Sequence, residues 1–501
     1  LSSGAGARPV ESDAAVVAGR GALFIGFAKI YFMLSGSLQQ VLLPLVVREA
    51  AQFGAFAVVN NIISIVNNTV VQATIQSVSK FSAEDDAGAE AVQRAGVRMQ
   101  VVFGLALALV LVLVAPSIAS FLKAPQYTGY LRLATLVPLF YSVYAVFVGS
   151  ANGLRRFRTQ ASFDVGFSTM KTILLLGLAA LWGVTGAFAG FALAALAILI
   201  ISSRVMRLPR VSAAHFPFSR LIPYMAAVSG YALLLNLALL YDSPLLHHFA
   251  GVVDAGRAPA LVAHYQALRT LALLPYQALI VITFVIFPLV SRATFAADRD
   301  ATRVYVTQTL RYALLLVVAM GLALAARPSA LLAILYKAEY GEGAAALPIM
   351  VTGECCLALL AVGCTILNAA GRTIASVSFM ALTVATGAAA TALLVPRAAP
   401  GPEMLVAQAS ATSLGMAAGF VVSLVYLRVR LGGGAPASTV LRVAVAAAAA
   451  LLVGRFLPAH GRVLGLVAVA AVAVVYLAVL VALGEFTAAD RAKFRRVLLR
   501  R

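Results

Sequence analysis

From residue 21 to residue 484 the chain repeats one pattern: a long apolar stretch, a short polar break, another apolar stretch. The hydrocarbon core of a bilayer is roughly 30 Å thick, so a helix needs about 20 apolar residues to cross it. Stretches of that length predict helices at 22–46, 54–78, 99–122, 129–152, 160–182, 184–203, 221–246, 261–290, 304–326, 344–369, 373–396, 403–427, 438–457 and 462–484. The longest polar breaks, 79–98, 204–220, 248–260, 291–303 and 327–343, are too short to bury a core of their own. Inside a bilayer every backbone N–H and C=O must find its partner within the protein, and a helix satisfies this by itself. The expectation is an all-α polytopic membrane protein with about 14 transmembrane helices.

Composition supports this and charge orients it. A formal net charge of +20 would suit a nucleic-acid binder, but 62% hydrophobic residues make the bilayer the main solvent, so no nucleic-acid partner is expected. In membrane proteins Lys and Arg collect in cytoplasmic loops. Threading the helices with the N-terminus inside puts most of the 38 Lys and Arg on the cytoplasmic side. Examples are Arg155-Arg156-Phe157-Arg158, the loop with Arg204, Arg207, Arg210 and Arg220, and the basic tail 487–501. Both termini are therefore expected in the cytoplasm. Residues 1–20 are rich in Gly, Ala and Ser without an apolar core, and read as a flexible cytoplasmic tail rather than a signal peptide.

The segment Asn152–Phe163 resembles Asn368–Phe379, with Asn152/Asn368, Arg156/Arg372, Ser162/Ser378 and Phe163/Phe379 coinciding. Each joins the fourth helix of a six-helix set to the fifth. Ser79-Lys80 and Ser291-Arg292 bear a similar offset. The simplest organisation is an N-terminal lobe at 21–203, a cytoplasmic linker at 204–220, a C-terminal lobe at 221–430 and two additional helices within 431–486. Six helices per lobe give parallel repeats, and transporters built this way bind substrate between the halves.

Polar residues inside the apolar stretches mark candidate chemistry. Asn61, Ser64, Asn68, Gln72 and Gln76 are spaced 3, 4, 4 and 4 apart, on one face of the second helix, with Asn60 and Asn67 beside it. Carboxamides facing lipid are costly, so the stripe faces either a water-filled cavity or another helix. On the first helix Lys29, Gly36 and Gln40 share a face, with Gln39 adjacent; Lys29 either faces the cavity or snorkels to the cytoplasmic boundary. Arg311 sits at a similar depth without a stripe, and snorkelling is expected there. Asp164, Ser168 and Lys171 share a face of the fifth helix, with Lys171 near mid-membrane and too far from Asp164 for direct contact. Asp242 and Arg269 fall in the outer half of the membrane, where a pair is feasible, and Glu354 lies near the centre of the tenth helix. An ionisable residue at such depth is a functional-site hypothesis by default. Asp242 and Glu354 are candidates for ion coupling. Pro44, Pro138, Pro244, Pro275 and Pro288 interrupt helices and can bend them.

Enzymatic signatures are missing. There is no Walker A sequence, zinc protease motif, nucleophile elbow or Rossmann fingerprint. Cys355, Cys356 and Cys364 have no zinc or redox spacing, and His247, His248 and His264 lack metal-ligand spacing. No catalytic residue, metal or cofactor is expected. The first external loop, about Arg48 to Phe53, is too small for the acidic catalytic residues of a lipid-linked glycosyltransferase. Transport is the leading class.

Several motifs carry a family resemblance. They are Gly21–Lys29, Phe53-Gly-Ala-Phe-Ala-Val-Val-Asn60, Ser79-Lys80-Phe81, Gly149-Ser-Ala-Asn-Gly-Leu-Arg-Arg-Phe157, Phe287-Pro-Leu-Val-Ser-Arg292 and Leu367-Asn-Ala-Ala-Gly-Arg372. Over about residues 20–430 the chain resembles the polysaccharide (oligosaccharide) flippases of the superfamily of multidrug (MATE-type), oligosaccharidyl-lipid and polysaccharide exporters. The resemblance implies two six-helix lobes in a MATE-like V, plus two C-terminal helices. It implies a bacterial inner-membrane protein that moves undecaprenyl-pyrophosphate-linked oligosaccharide from the cytoplasmic to the periplasmic leaflet by alternating access. Its partners would be the lipid-linked glycan, the bilayer and the polysaccharide polymerase machinery. Cationic cavity residues are expected in such flippases, and Lys29, Lys171 and Arg269 are the candidates here, with Gln40, Asn61, Asn68, Gln72 and Asp164 as further substrate-binding residues. Alternatives are a lipid II flippase, a MATE-type drug or ion antiporter and, from other classes, a membrane glycosyltransferase or polymerase, or a membrane scaffold.

Overall fold

A computed structural model of the protein describes residues 9–47, 49–209, 216–280, 298–457 and 462–486, with Val290 and Thr294. The described residues form helices and no strand. In chain order these are α1 Pro9–Val47, α2 Ala50–Glu84, α3 Ala89–Phe121, α4 Tyr127–Ala134, α5 Leu136–Gly153, α6 Phe157–Val205, α7 Phe218–Leu240 and α8 Asp242–Val253. There follow α9 Ala258–Ala272, α10 Arg299–Ala326, α11 Pro328–Leu335, α12 Leu347–Ala369, α13 Thr373–Leu394, α14 Pro402–Leu431, α15 Ala437–Phe456 and α16 Arg462–Ala482. Among the described residues, 12 helical segments are long and apolar enough to cross a membrane. Their outer faces are greasy. Val102, Leu105, Leu109 and Leu113 line one side of α3 at 70%, 56%, 60% and 67% exposure, a surface suited to lipid and not to water.

The 49 residues of α6 conceal a hairpin. A straight helix of that length would reach about 74 Å, more than twice the hydrocarbon thickness. Trp182 and Gly183 leave helical geometry, and Gly183 takes φ +56°. A Cβ on Gly186 would run into the carbonyl oxygen of Leu178, and one on Gly190 into that of Leu174. Both pairs are symmetric about residue 182, so the chain doubles back and packs backbone against backbone. The break falls between the predicted helices 160–182 and 184–203.

Other boundaries differ. α1 begins at Pro9, so residues 9–20 are helical where a flexible tail was expected. Pro is favoured in a first helical turn, and the Ala- and Val-containing run after it continues the helix. The predicted helix 221–246 breaks at Tyr241, because Asp242 turns its carboxylate onto the N–H of Ser243 (2.8 Å) and Pro244 sits in the new first turn. Pro288 and the later part of the predicted helix 261–290 lie outside the described residues.

The chain forms two compact units, Leu1–Ala260 and Leu261–Arg501. In the first, α2 packs against α5 and α7, and α1 against the first arm of α6. In the second, α14 packs against both α12 and α13, and α15 and α16 pack on α10. Leu315, Leu322, Val443, Ala446, Val472, Tyr476 and Leu480 form the core of that last contact. Its polar clasp is Glu485, which accepts hydrogen bonds from Arg311 Nε (2.6 Å), Thr439 Oγ1 (2.8 Å) and Arg442 Nη1 (3.0 Å). Burial pushes the Glu485 carboxyl up, but those hydrogen bonds outweigh it and hold the group below the usual carboxylate range. Arg311 is therefore an anchor for the C-terminal helices, and not a snorkelling side chain.

The repeated segments share a turn. Arg155 takes φ +56° and Gly371, at the equivalent position, φ +73°. After α5 the N–H of Arg156 bonds to the Ala151 carbonyl (2.8 Å) and that of Arg155 to Asn152 (3.0 Å). After α12 the N–H of Arg372 bonds to Leu367 (2.8 Å) and that of Gly371 to Asn368 (3.1 Å). Both are the same left-handed helix stop, which satisfies carbonyls the helix leaves open.

Candidate functional site

The first unit gathers most of the candidates. Lys29 Nζ lies 2.8 Å from Asp164 Oδ2, pairing α1 with α6. Its side chain keeps 36% of its exposure, while that of Asp164 keeps 6%. The carboxylate is thus committed to Lys29 and not to Lys171, which lies about 10 Å further along the helix axis. Lys171 instead sits over the ring of Phe191, 4.0 Å from its centroid, with no carboxylate in ion-pair range among the described residues. Between the two lysines runs an aromatic cluster the sequence did not single out. Phe167 packs on Tyr141 at 4.6 Å, on Tyr144 at 6.1 Å, on Phe32 at 6.3 Å and on Phe191 at 6.4 Å between ring centroids. Tyr144 Oη is buried without a hydrogen-bond partner among the described residues. The i, i+4 pair Phe163/Phe167 was visible in the sequence, but such spacing ordinarily marks core.

Along the same seam Tyr31 Oη meets Thr169 Oγ1 (2.8 Å), Ser35 Oγ meets Thr172 Oγ1 (2.7 Å) and Gln39 Nε2 donates to Thr172 Oγ1 (2.8 Å). Gln39, which the sequence placed beside the polar face of the first helix, is therefore the amide that ties α1 to α6. Gln40 is half-buried, and its Oε1 has no hydrogen-bond partner among the described residues.

The stripe on α2 divides. Asn61 is buried. Ser64 and Gln72 are half-buried, and Asn68 and Gln76 are exposed. Asn67, off the stripe, is buried and donates to Asn68 Oδ1 (3.3 Å), while Asn68 donates to Asn236 Oδ1 on α7 (3.2 Å). Part of the stripe thus bonds to a neighbouring helix, and part is left uncovered by its own unit. Further along, Gln100 on α3 donates to Thr74 Oγ1 (2.7 Å), another link that one-helix periodicity did not reveal. Lys80 lies over Tyr224 at 4.1 Å, and Arg220 pairs with Glu84 at 2.7 Å. Asp242 is buried at the α7–α8 break. His247 bonds to the Leu122 carbonyl (3.0 Å) and to Tyr127 Oη (3.1 Å); its burial pushes the imidazole down to about 4.

The second unit holds a buried polar core of its own. Arg269 Nε on α9 lies 4.0 Å from Glu354 Oε1 on α12, with side-chain exposures of 1% and 2%. Within its own unit the carboxylate opposite Arg269 is therefore Glu354. Every residue from Leu261 to Thr270 is buried, including His264, Gln266 and Arg269. Nearby in sequence, Tyr265 Oη contacts Thr412 Oγ1 (3.4 Å), and Gln408 Nε2 donates to Thr412 (2.9 Å) and Thr391 (3.2 Å). Sequence reading missed Tyr265, Gln408 and Thr412, because Tyr and Thr are unremarkable in an apolar helix.

Comparison with known proteins fits this architecture. A solved structure of the lipid II flippase MurJ in an inward closed conformation superposes with a TM-score of 0.74 at 12% identity, covering 95% of this chain and all (100%) of that one. An inward-facing multidrug resistance MATE transporter of the MOP superfamily gives 0.64 at 14%, covering 82% of this chain and 98% of that one. A MOP superfamily transporter from Pyrococcus furiosus, described as having a binding pocket of reverse polarity, gives 0.61 at 13%, covering 82% and 95%. At such identities the likeness establishes the fold. No curated protein matches in sequence. The expected exporter fold is present, on helices that carry intramembrane lysines and amides, and the family of polysaccharide biosynthesis proteins matches residues 45–344; the chain belongs to that family.

Proposed function

We propose that the protein is a flippase that carries undecaprenyl-pyrophosphate-linked oligosaccharide from the cytoplasmic to the periplasmic leaflet of a bacterial inner membrane, with both termini in the cytoplasm. The observation that carries this reading is the cationic character of the first unit's interior. Among the described residues Lys171 has an aromatic ring and no carboxylate partner, and Lys29 is only partly covered by Asp164. A cation in low dielectric attracts an anion strongly, and a diphosphate would offset the cation's desolvation. The half-buried and exposed amides of α2 would replace water around the sugars. Arg269 faces Glu354 at 4.0 Å, and a proton or cation bound at Glu354 would change the charge that Arg269 meets. The two lobes at 21–203 and 221–430 would rock about this site. α7, assigned by sequence to the second lobe, packs along α2, so that seam would part in each cycle.

The cargo named for the MurJ neighbour, lipid II, is of the same chemical class, and a lipid II flippase is the second reading. A drug antiporter for cationic compounds would favour acidic cavities, which Lys171, without a carboxylate partner among the described residues, opposes. The deciding measurement is leaflet-resolved accumulation of lipid-linked glycan after deletion of the gene. Accumulation in the cytoplasmic leaflet, reversed by the wild-type chain, is the expected result. Normal leaflet distribution with loss of drug resistance would overturn the reading.

A further inference from the structure

We propose that the second unit carries a separate binding site for a phosphate-bearing anion, at the end where α10 begins. A cavity of about 560 Å³ opens there, with Arg299, Arg303, Arg372 and Arg430 in its lining beside Asp298 and Asp300. Its size falls within the roughly 300–1,000 Å³ of small-molecule sites, well above the needs of a simple ion. The arginines come from three places in the chain: the first turns of α10, the turn between α12 and α13, and the last turn of α14. The fold, and not a local basic run, brings them round one concavity.

Their charge is left available. Among the described residues none of the four guanidiniums has a carboxylate in ion-pair range. Asp298 Oδ1 accepts the N–H of Ala301 at 2.8 Å and caps α10, and the four arginines still outnumber Asp298 and Asp300 in the lining. Among the described residues Arg372 donates to Tyr426 Oη, at 3.3 Å. α13 starts directly after Arg372, whose carbonyl accepts the N–H of Ala375 (3.2 Å), without a side-chain cap. Basic loops are common on the cytoplasmic side of membrane proteins, but there they are ordinarily spread out and solvated. Converging guanidiniums, each able to hold two oxygens in a planar fork, favour a multiply charged oxyanion such as phosphate over neutral or singly charged ligands. The same chemistry is offered by the headgroup of an anionic phospholipid and by a soluble phosphate compound.

The site is independent of the cargo assigned above, and its test separates the two. The full chain, purified in an uncharged detergent, is titrated calorimetrically with inorganic pyrophosphate and with short-chain phosphatidylglycerol. The R303Q/R430Q variant should weaken binding about tenfold or more. K171Q, made on its own, should leave the affinity that R303Q/R430Q weakens unchanged, because Lys171 does not line this cavity. Binding should also fall as salt rises, because the arginines are exposed. Binding of pyrophosphate without the lipid assigns a soluble ligand; binding of the lipid assigns a headgroup. Failure of both probes to bind, or equal affinity in wild type and R303Q/R430Q, overturns the proposal. Should the double variant aggregate, the single variants R303Q and R430Q decide in the same way.

Discussion

At the scale of single residues, the partner decides what an intramembrane charge can do. Lys29 and Arg269 each face a carboxylate, whereas Lys171 faces a ring. A cation over an aromatic face gains roughly 0.5–2 kcal/mol, less than a charge-assisted hydrogen bond to a phosphate can add. Replacing Lys171 with Gln should therefore lower glycan export about tenfold or more at unchanged membrane abundance, and Lys171→Arg should retain more activity. Full export by K171Q at normal protein levels would remove Lys171 from the proposed site. The left-handed turn offers a second test. Arg155 bears a side chain where its repeat partner is Gly371, and a left-handed residue with a Cβ costs roughly 1–2 kcal/mol. Arg155→Gly should raise the thermal midpoint of the purified protein, and Gly371→Ala should lower it; no change in either would mean that neither turn is strained. The sequence showed which residues were polar and at what depth, but not which neighbours they meet. Periodicity on one helix says nothing of the helix opposite, so it left open whether Lys29 faces a cavity or snorkels, set Gln39 only beside the polar face, and passed over Tyr265.

Elements were more legible than contacts, because the bilayer imposes a length. The break in α6 at Trp182-Gly183 fell where two apolar runs met, and the interval between α1 and α2 was as short as expected. The α7–α8 break was hidden by an apolar run that continues through it, and only Asp242 and Pro244 signal it. The stripe on α2 was legible as a face, and its division between contact and opening was not. Cysteines placed at Asn68 and Gln72, in a background lacking Cys355, Cys356 and Cys364, should react with small water-soluble thiol reagents. Val70, buried against the protein, should react far less. Asn61 is also buried, so a cysteine there should label slowly unless the transport cycle uncovers it. Equal labelling of positions 68 and 70 would mean that α2 lines no one-sided aqueous cavity.

At the scale of the molecule the two ends of the first unit are distinguished by charge and by packing together. α3 spans the unit, and its 33 residues reach about 50 Å at 1.5 Å per residue. Near its start, Glu90, Gln93 and Arg94 share a cavity with Ser203 and Arg207. Beyond its far end, the backbone of Leu122 and Lys123 lies against Gly251, where an added Cβ would come 3.1 Å from Lys123 Cβ. Arg207 and Gly251 are thus held at opposite ends of one packed unit, whichever way it sits in the bilayer. The turn carrying Arg155, Arg156 and Arg158 belongs to the same end as Arg207, because Gly153 lies against Ser79 at the close of α2, and Arg220 pairs there with Glu84. Basic residues crowd that end, and moving them across a membrane is what the positive-inside bias opposes. Reporter fusions at Arg158 and Arg207 should therefore read cytoplasmic, and one at Gly251 periplasmic. Reversal of all three would invert the orientation and place the arginine-rich end outside, which would remove the first unit's lysines from the leaflet where a glycan is assembled. Agreement between Arg207 and Gly251 would be more damaging, since no orientation of this fold puts both ends of α3 on one side.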